Sequence, residues 1–302
     1  MKKRFISTSI AMAVVFSIIL SPAARAAQAI GMMATNIQIE NALDDLEEEY
    51  TTLYGEGEKA DLASSLIDSY RGDPMFLAHY QYDSEDALSM VECVVEGAIR
   101  ARFSIRPLWT DGSIYGADGV PEYQQKQYNS CGAASALQVI VQQGGADNIA
   151  GSTYAEKEQT LINASYGIEE YGSVLVIEVT DFINNYRPDD ELKYVYTRGL
   201  ITDASTFRSL VLTSLTLDCP IILHANTRYL GYYNSHATGH YIVGTHFFAQ
   251  TEEFVVNDCN DNDQYAGIHS TTMSEIYQSV HMPNSDGSSR YFIYGTYDTA
   301  GN

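Results

Sequence analysis

The spacing of apolar residues changes character once along this chain, and that change limits the folds open to it. Ahead of residue 105 the period is helical. Ile39, Leu43, Leu46, Tyr50 and Leu53 recur at three and four, with Asp44, Asp45, Glu47, Glu48 and Glu49 filling the gaps, which predicts an amphipathic helix. Gly55 and Gly57 end it. Leu62, Leu66 and Tyr70 predict a second helix, stopped by Arg71-Gly72 and Pro74. A third is expected from Ser84 as N-cap, with Glu85 and Asp86 in its first turn and Leu88, Val91, Val95 and Ile99 on one face, running to near Arg102. From Trp109 to Pro121, three glycines and a proline mark a loop.

Beyond that loop helices and strands mix. Cys131 to Gln143 predicts a helix closed by Gly144-Gly145; others are expected over 156–165, from Ser173 as N-cap to Tyr186, over 204–216 and over 272–280. Leu192 to Thr197, Ile221 to Leu223, Tyr241 to Phe248, Glu253 to Asp258 and Tyr291 to Tyr294 read as strands, with a tight turn near Thr251. Helices first, then mostly antiparallel strands, is an α+β pattern.

The N-terminus carries Lys2, Lys3 and Arg4, an apolar run from Ile10 to Leu20, and Ala24-Arg25-Ala26 before Ala27. Those are the three regions of a secretory signal, expected to be cut near Ala26. The run is too short to serve as a membrane anchor, which needs about 20 apolar residues. An exported, extracellular protein with no later membrane span is the expectation. Losing Lys2, Lys3, Arg4 and Arg25 takes the formal charge from −22 to −26. So acidic a surface argues against nucleic acid or anionic membranes as partners and suits a solvated protein or one that attracts basic peptides.

The stretch richest in chemistry is Gln124-Gln125-Lys126-Gln127-Tyr128-Asn129-Ser130-Cys131-Gly132-Ala133-Ala134. Cys131 stands at the first turn of an apolar helix, where free N–H groups and the positive helix end favour thiolate over thiol. Gly132 and the alanines are expected to leave room above the sulfur. Far downstream, Gly239-His240-Tyr241 opens one strand and Asp258 closes the next. If these strands pair as a hairpin, Asp258 can hold one nitrogen of His240 while the other faces Cys131. His236, in a loop, and His246, within the strand, are rival histidines.

Gln125 to Ala134, the Gly-His before a strand, and the Asp ending the next strand resemble the C39-like peptidases of the papain-like superfamily. The resemblance covers roughly 105–302. It implies a papain-like fold, helices plus a twisted antiparallel sheet, behind a helical N-terminal region. It also implies peptide hydrolysis with Cys131 as nucleophile, His240 as general base and acid, and Asp258 orienting the imidazole. Gln125, rather than Gln124 or Gln127, would offer its side-chain N–H to the oxyanion. Well-known members are fused to transporters and remove double-glycine leaders; with no transporter in these residues, that role is not expected here.

The expected organisation is a signal over 1–26, a helical region over 27–105 that is either a removable pro-segment or a docked accessory domain, and a peptidase domain over 106–302. The partner is a peptide or protein substrate. Two other functions fit the same residues: an amidase or transferase acting on cell-wall peptides or isopeptides, and a catalytically silent binding or toxin-like module. The loop from Asn226 to Thr238 is expected to form a substrate-side wall. Cys219 and Cys259 flank strands expected to be neighbours and form the candidate disulfide, while Cys93 is expected to pack among the N-terminal helices. Asp258 to Asp263 lacks the glycine at position six and the glutamate at position twelve of a calcium loop, so it reads as a polar turn. No metal and no cofactor is expected.

Overall fold

The computed structural model describes residues 22–104, 113–168, 172–188, 191–199, 203–283 and 290–298, without the side chains of 22–35, 101 and 104. The basic start and apolar run of the expected signal lie outside the described residues. The expected cut near Ala26 falls within the first helix, α1 (Pro22–Tyr54).

Helices α1, α2 (Glu58–Asp68), α3 (Pro74–Tyr82) and α4 (Ser84–Ile99) come first. Ile39, Leu43, Leu46 and Tyr50 of α1 are buried, as their spacing requires, whereas Leu53 is exposed. The acidic side of α1 is answered by one residue: Arg71 bridges Glu40 and Asp44 through Nη1, Glu47 through Nη2 and Asp68 through Nε, at 2.8–3.0 Å. Pro74 stops one helix and starts another. It occupies the first turn of α3, where a missing N–H costs nothing, and the Asp73 carboxylate caps the turn by accepting from Met75 N–H. The N-cap of α4 is Asp83 and not Ser84, its side chain accepting from Asp86 N–H.

A seven-stranded antiparallel sheet follows, in the order β2-β7-β3-β4-β5-β6, with β1 (Ile114–Gly116) laid beside the far half of β4. The strands are β2 (Leu192–Arg198), β3 (Ile221–Asn226), β4 (Gly239–Phe248), β5 (Glu253–Asp258), β6 (Gly267–Thr272) and β7 (Tyr291–Tyr297). Helices cover both faces. Tyr241 pairs with His224, and Ile222 with Ile293, so these side chains share a face. On that face the first turn of α5 (Cys131–Gln142) meets Tyr241, and α7 (Val176–Tyr186) lies alongside α5. On the other face Phe207 of α8 (Ala204–Thr216) packs edge-on against Phe292, and Gly97 of α4 makes room for Thr296. Two further helices, α6 (Tyr154–Ala164) and α9 (Met273–His281), pack at the margins, each begun by a capping box, Thr153 with Glu156 and Thr272 with Glu275.

The N-terminal helices close the β2 edge of the sheet. Tyr70 Oη donates to the Tyr196 carbonyl at 3.0 Å, and Tyr291 Oη donates to Asp73 at 2.7 Å. The Asn184 side chain of α7 exchanges two hydrogen bonds with the backbone of Tyr194, both at 2.8 Å. An edge strand's open N–H and C=O groups are thereby occupied. The buried residues of α1–α4 and those of the sheet belong to one continuous apolar core, in which Cys93 is wholly buried.

Candidate active site

The nucleophile candidate is set by a turn and a helix start. Asn129 takes a left-handed conformation, φ 67°, which asparagine tolerates better than most residues, and the chain then enters α5 at Cys131. Ser130 stands in the N-cap position yet does not cap. Its hydroxyl instead lies between two acceptors, Glu158 of α6 at 2.6 Å and the Gln127 carbonyl at 2.7 Å, which share its one proton. Glu158, 1% exposed, also takes the Tyr123 hydroxyl and the Lys126 N–H, so one buried carboxylate pins the loop that delivers both Gln125 and Cys131.

Gly132 has a different role from the one its neighbourhood suggested. A Cβ there would lie 2.8 Å from Val174 Cβ, 3.1 Å from Val179 Cγ2 and 3.3 Å from Tyr241 Cδ2. The missing side chain lets α5 settle against α7 and β4; it does not open space above the sulfur.

His240 and Asp258 sit at the same end of adjacent strands, because β4 and β5 pair with Ile242 opposite Asp258. His240 Nε2 lies 2.8 Å from Asp258 Oδ1, and both side chains are buried. Cys131 and Cys259 both lie close enough to the imidazole to act on its charge. Burial alone would push the Cys131 thiol up. The charge and hydrogen bond of His240, with the backbone N–H groups of Tyr241 and Gly132, outweigh it and bring the thiol below its ordinary value. Burial would likewise push His240 down, but the Cys131 charge and the bond to Asp258 hold it well above the ordinary histidine range. The two shifts run in the direction of a thiolate–imidazolium pair.

Of the three glutamines, Gln125 alone turns inward. It is buried, its N–H donates to the Cys259 carbonyl at 2.8 Å, and its Oε1 lies 3.9 Å from Cys259 Sγ. That same sulfur is 3.5 Å from the Cys131 carbonyl. Gln124 reaches out to Asp261 and Asp263, and Gln127 to Gln159. The rival histidines are likewise elsewhere. His236 is exposed in its loop. His246 sits beside a bulge in β4 and pairs with Asp118 at 3.1 Å, six residues along the strand from His240, which is about 20 Å. A histidine not weighed from sequence, His224, stacks on Tyr241 at 4.6 Å. Burial, then the nearby charges of Arg290 and His240, bring it down to about 3, so it stays neutral and accepts from Arg290.

Sequence reasoning missed the surroundings of Asp258. Tyr233 Oη donates to Oδ2 at 2.8 Å, Tyr232 Oη to the same oxygen at 3.0 Å, and Asn260 N–H to Oδ1 at 2.9 Å. The tyrosines belong to the loop from Asn226 to Thr238 that was expected to wall the substrate; this part of it instead turns inward beneath the carboxylate. Their one sequence signal was an apolar-aromatic pair inside an otherwise polar loop. Beyond Asp258, Asn260 and Asn262 accept from the N–H two residues ahead of each, the chemistry of a polar turn.

The candidate Cys219–Cys259 disulfide is not formed; all four cysteines are free. Topology explains it. Strands β3 and β5 both run opposite to β4, so Cys219 before β3 and Cys259 after β5 lie at opposite ends of the sheet. Among the described residues, His79, Asp86 and Asp181 are the metal-ligand types that converge outside this site, and Lys193 Nζ, 3.0 Å from Asp86, already supplies the cation.

An antiparallel sheet with helices on both faces, and a cysteine, histidine and aspartate meeting at one end of it, is an arrangement of the cysteine-peptidase class. Residues 117–283, more than half of the chain, match the family described as Peptidase_C39 like, and the chain belongs to that family. No curated protein matches it.

Proposed function

We propose that this chain is an exported cysteine peptidase of papain-like fold that hydrolyses peptide bonds through Cys131, His240 and Asp258. The observation that carries the reading is the buried Asp258 carboxylate 2.8 Å from His240 Nε2, with Cys131 at a helix start near enough for thiol and imidazole to shift each other toward thiolate and imidazolium. In the reaction the Cys131 thiolate attacks the scissile carbonyl carbon. The oxyanion that forms accepts from the Cys131 backbone N–H, unpaired at a helix start, and from the Gln125 side chain. His240, its Nε2 held by Asp258, gives its other ring proton to the leaving amine as the carbon–nitrogen bond breaks. It then takes a proton from the water that attacks the thioester, and Cys131 leaves as thiolate.

The test is intact mass after brief exposure to an electrophilic thiol reagent at neutral pH, for the wild-type chain, Cys131→Ala and His240→Ala, followed by turnover of a mixed peptide substrate. One fast adduct at Cys131, slowed on removing His240, together with new peptide termini, is the expected result. A Cys131 no faster than Cys93 or Cys219 refutes the reading.

A further inference from the structure

Asp258 is better supplied with hydrogen bonds than a carboxylate needs merely to orient a histidine. Its side chain is 0% exposed, and four donors converge on it. Oδ1 takes His240 Nε2 and the Asn260 N–H; Oδ2 takes both phenols, Tyr232 at 3.0 Å and Tyr233 at 2.8 Å. A buried hydroxyl can be satisfied by any carbonyl, so two successive tyrosines choosing one oxygen calls for a reason beyond satisfying themselves. Half-buried Tyr232 had solvent as a cheaper partner.

The direction of these bonds is fixed by their neighbours. Asn260 Nδ2 donates to Tyr233 Oη at 3.0 Å, so the phenol's own proton points at Asp258. Tyr232 is held far above its ordinary range by burial and by the Asp258 charge, and stays a donor. Both rings are clamped from outside. Tyr232 stacks on His269 at 4.1 Å and 4°, and Tyr233 on Tyr265 at 4.3 Å and 13°.

We propose that Tyr232, stacked on His269, and Tyr233, fixed by Asn260, are positioning residues of the active site: they lock the Asp258 carboxylate in its orientation and keep it the acceptor for His240. The proposal rests on the peptidase reading above. Donors aimed at a carboxylate favour its ionised form, which burial opposes. Without them the carboxylate is free to turn away from the ring. His240 then loses its anionic partner, the imidazolium weakens, and the Cys131 thiolate loses the charge that stabilises it. The charged and titratable groups involved are Asp258, His240, Cys131 and Cys259 at the centre, with Tyr232, Tyr233 and, behind the first ring, His269.

The experiment measures the rate at which chloroacetamide labels Cys131 from about pH 4 to about pH 9, with melting temperature, in the full chain carrying Tyr233→Phe, Tyr232→Phe or both. Phenylalanine keeps each ring in its stack, so the fold survives. The expected result is a plateau rate within about threefold of wild type and an acid limb moved upward. The shift is roughly half a pH unit for each single change and about one for the pair, a tenfold loss of rate at a fixed acid pH. An acid limb that does not move in the double variant overturns the proposal. So does a rate lowered by the same factor at every pH alongside a lower melting temperature, since that is loosened structure without loss of an aligned anion. Absence of fast labelling at wild-type Cys131 would instead remove the peptidase reading itself, and the positioning role with it.

Discussion

Deleting the N-terminal helices is the perturbation on which the organisation of this chain turns. A chain beginning at Ser104 would retain every candidate catalytic residue and lose α1–α4. If that layer is a removable pro-segment, the remainder folds and its cleft is freed. The contacts predict otherwise. Tyr196 of β2 and Tyr291 and Tyr294 of β7 are 0%, 7% and 1% exposed. Tyr196 lies against His79 of α3, Tyr291 bonds Asp73, and α4 packs on both strands. At about 1.5–3 kcal/mol for each large side chain re-exposed, these three alone cost roughly 5–9 kcal/mol. The whole stability of a domain is about 5–15 kcal/mol. The deletion also bares the Tyr196 carbonyl and the β2 edge, which invites pairing between chains. The expected outcome is a fragment that aggregates or melts without cooperativity, with Cys131 labelled no faster than in denatured protein. The assay is a thermal melt with a labelling time course, on the fragment and on the full chain. A soluble fragment that melts cooperatively would refute the reasoning, and one that also labels Cys131 faster than the full chain would make α1–α4 a pro-segment.

Four further outcomes follow from the site and the cysteines. Cys131 is brought down and His240 held up, so labelling of Cys131 should persist below the ordinary thiol range and fall as pH drops through the lowered thiol value. Peptide turnover, which also needs the imidazolium proton, should in addition fall on the alkaline side, above the ordinary histidine range; a single limb centred on an unperturbed thiol would contradict the pair. Glu158→Ala should cost about 2–4 kcal/mol in a denaturant melt and slow Cys131 labelling several-fold, because Tyr123, Lys126 and Ser130 all lose their acceptor; unchanged values would mean that the loop holds itself. Gly132→Ala gains up to about 1 kcal/mol of helix propensity but forces a contact at 2.8 Å against a β-branched residue, so a net loss of about 1–2 kcal/mol with slower labelling is expected, and a raised melting temperature would show that α5 can shift freely. Titrating thiols in denaturant without reductant should find four, whereas a Cys219–Cys259 bridge would leave two.

The sequence yielded most where burial writes a period. The bounds of β5 and α8 and the start of α5 agree with the spacing of their apolar residues, because each has one face against the core. Elements with little to bury were not legible. Strand β6 offers Ile268 as its one large apolar residue, and that side chain points to solvent at 59% exposure. Only its ladder with β5 makes it a strand, and a ladder leaves no mark on composition. Helix α3 was hidden by Pro74, which means both stop and start, and the distinction lay in Asp73 one residue earlier. The loop before Pro121 concealed β1, which exists because β4 extends beyond the end of β3 and leaves an open edge for it.

For the candidate site, the residues proposed to react were named from the sequence and their supports were not. Cys131, His240 and Asp258 each stand at the end of an element, and element ends are where sequence places chemistry within reach. Asp258 is held in addition by Tyr232, Tyr233 and Asn260, and the Cys131 loop by Glu158, a residue of a helix that looked merely polar. What selects these supports is a donor count at a buried charge: a carboxylate out of water needs its hydrogen bonds replaced, whichever segments supply them. That requirement carries no spacing rule, so it becomes visible only once the chain is folded. Cys219 and Cys259, whose pairing the sequence left open, show the same limit from the other side. Both were correctly placed beside strands, but which end of the sheet each occupies depends on strand direction, a property of the whole topology and of neither cysteine's neighbourhood.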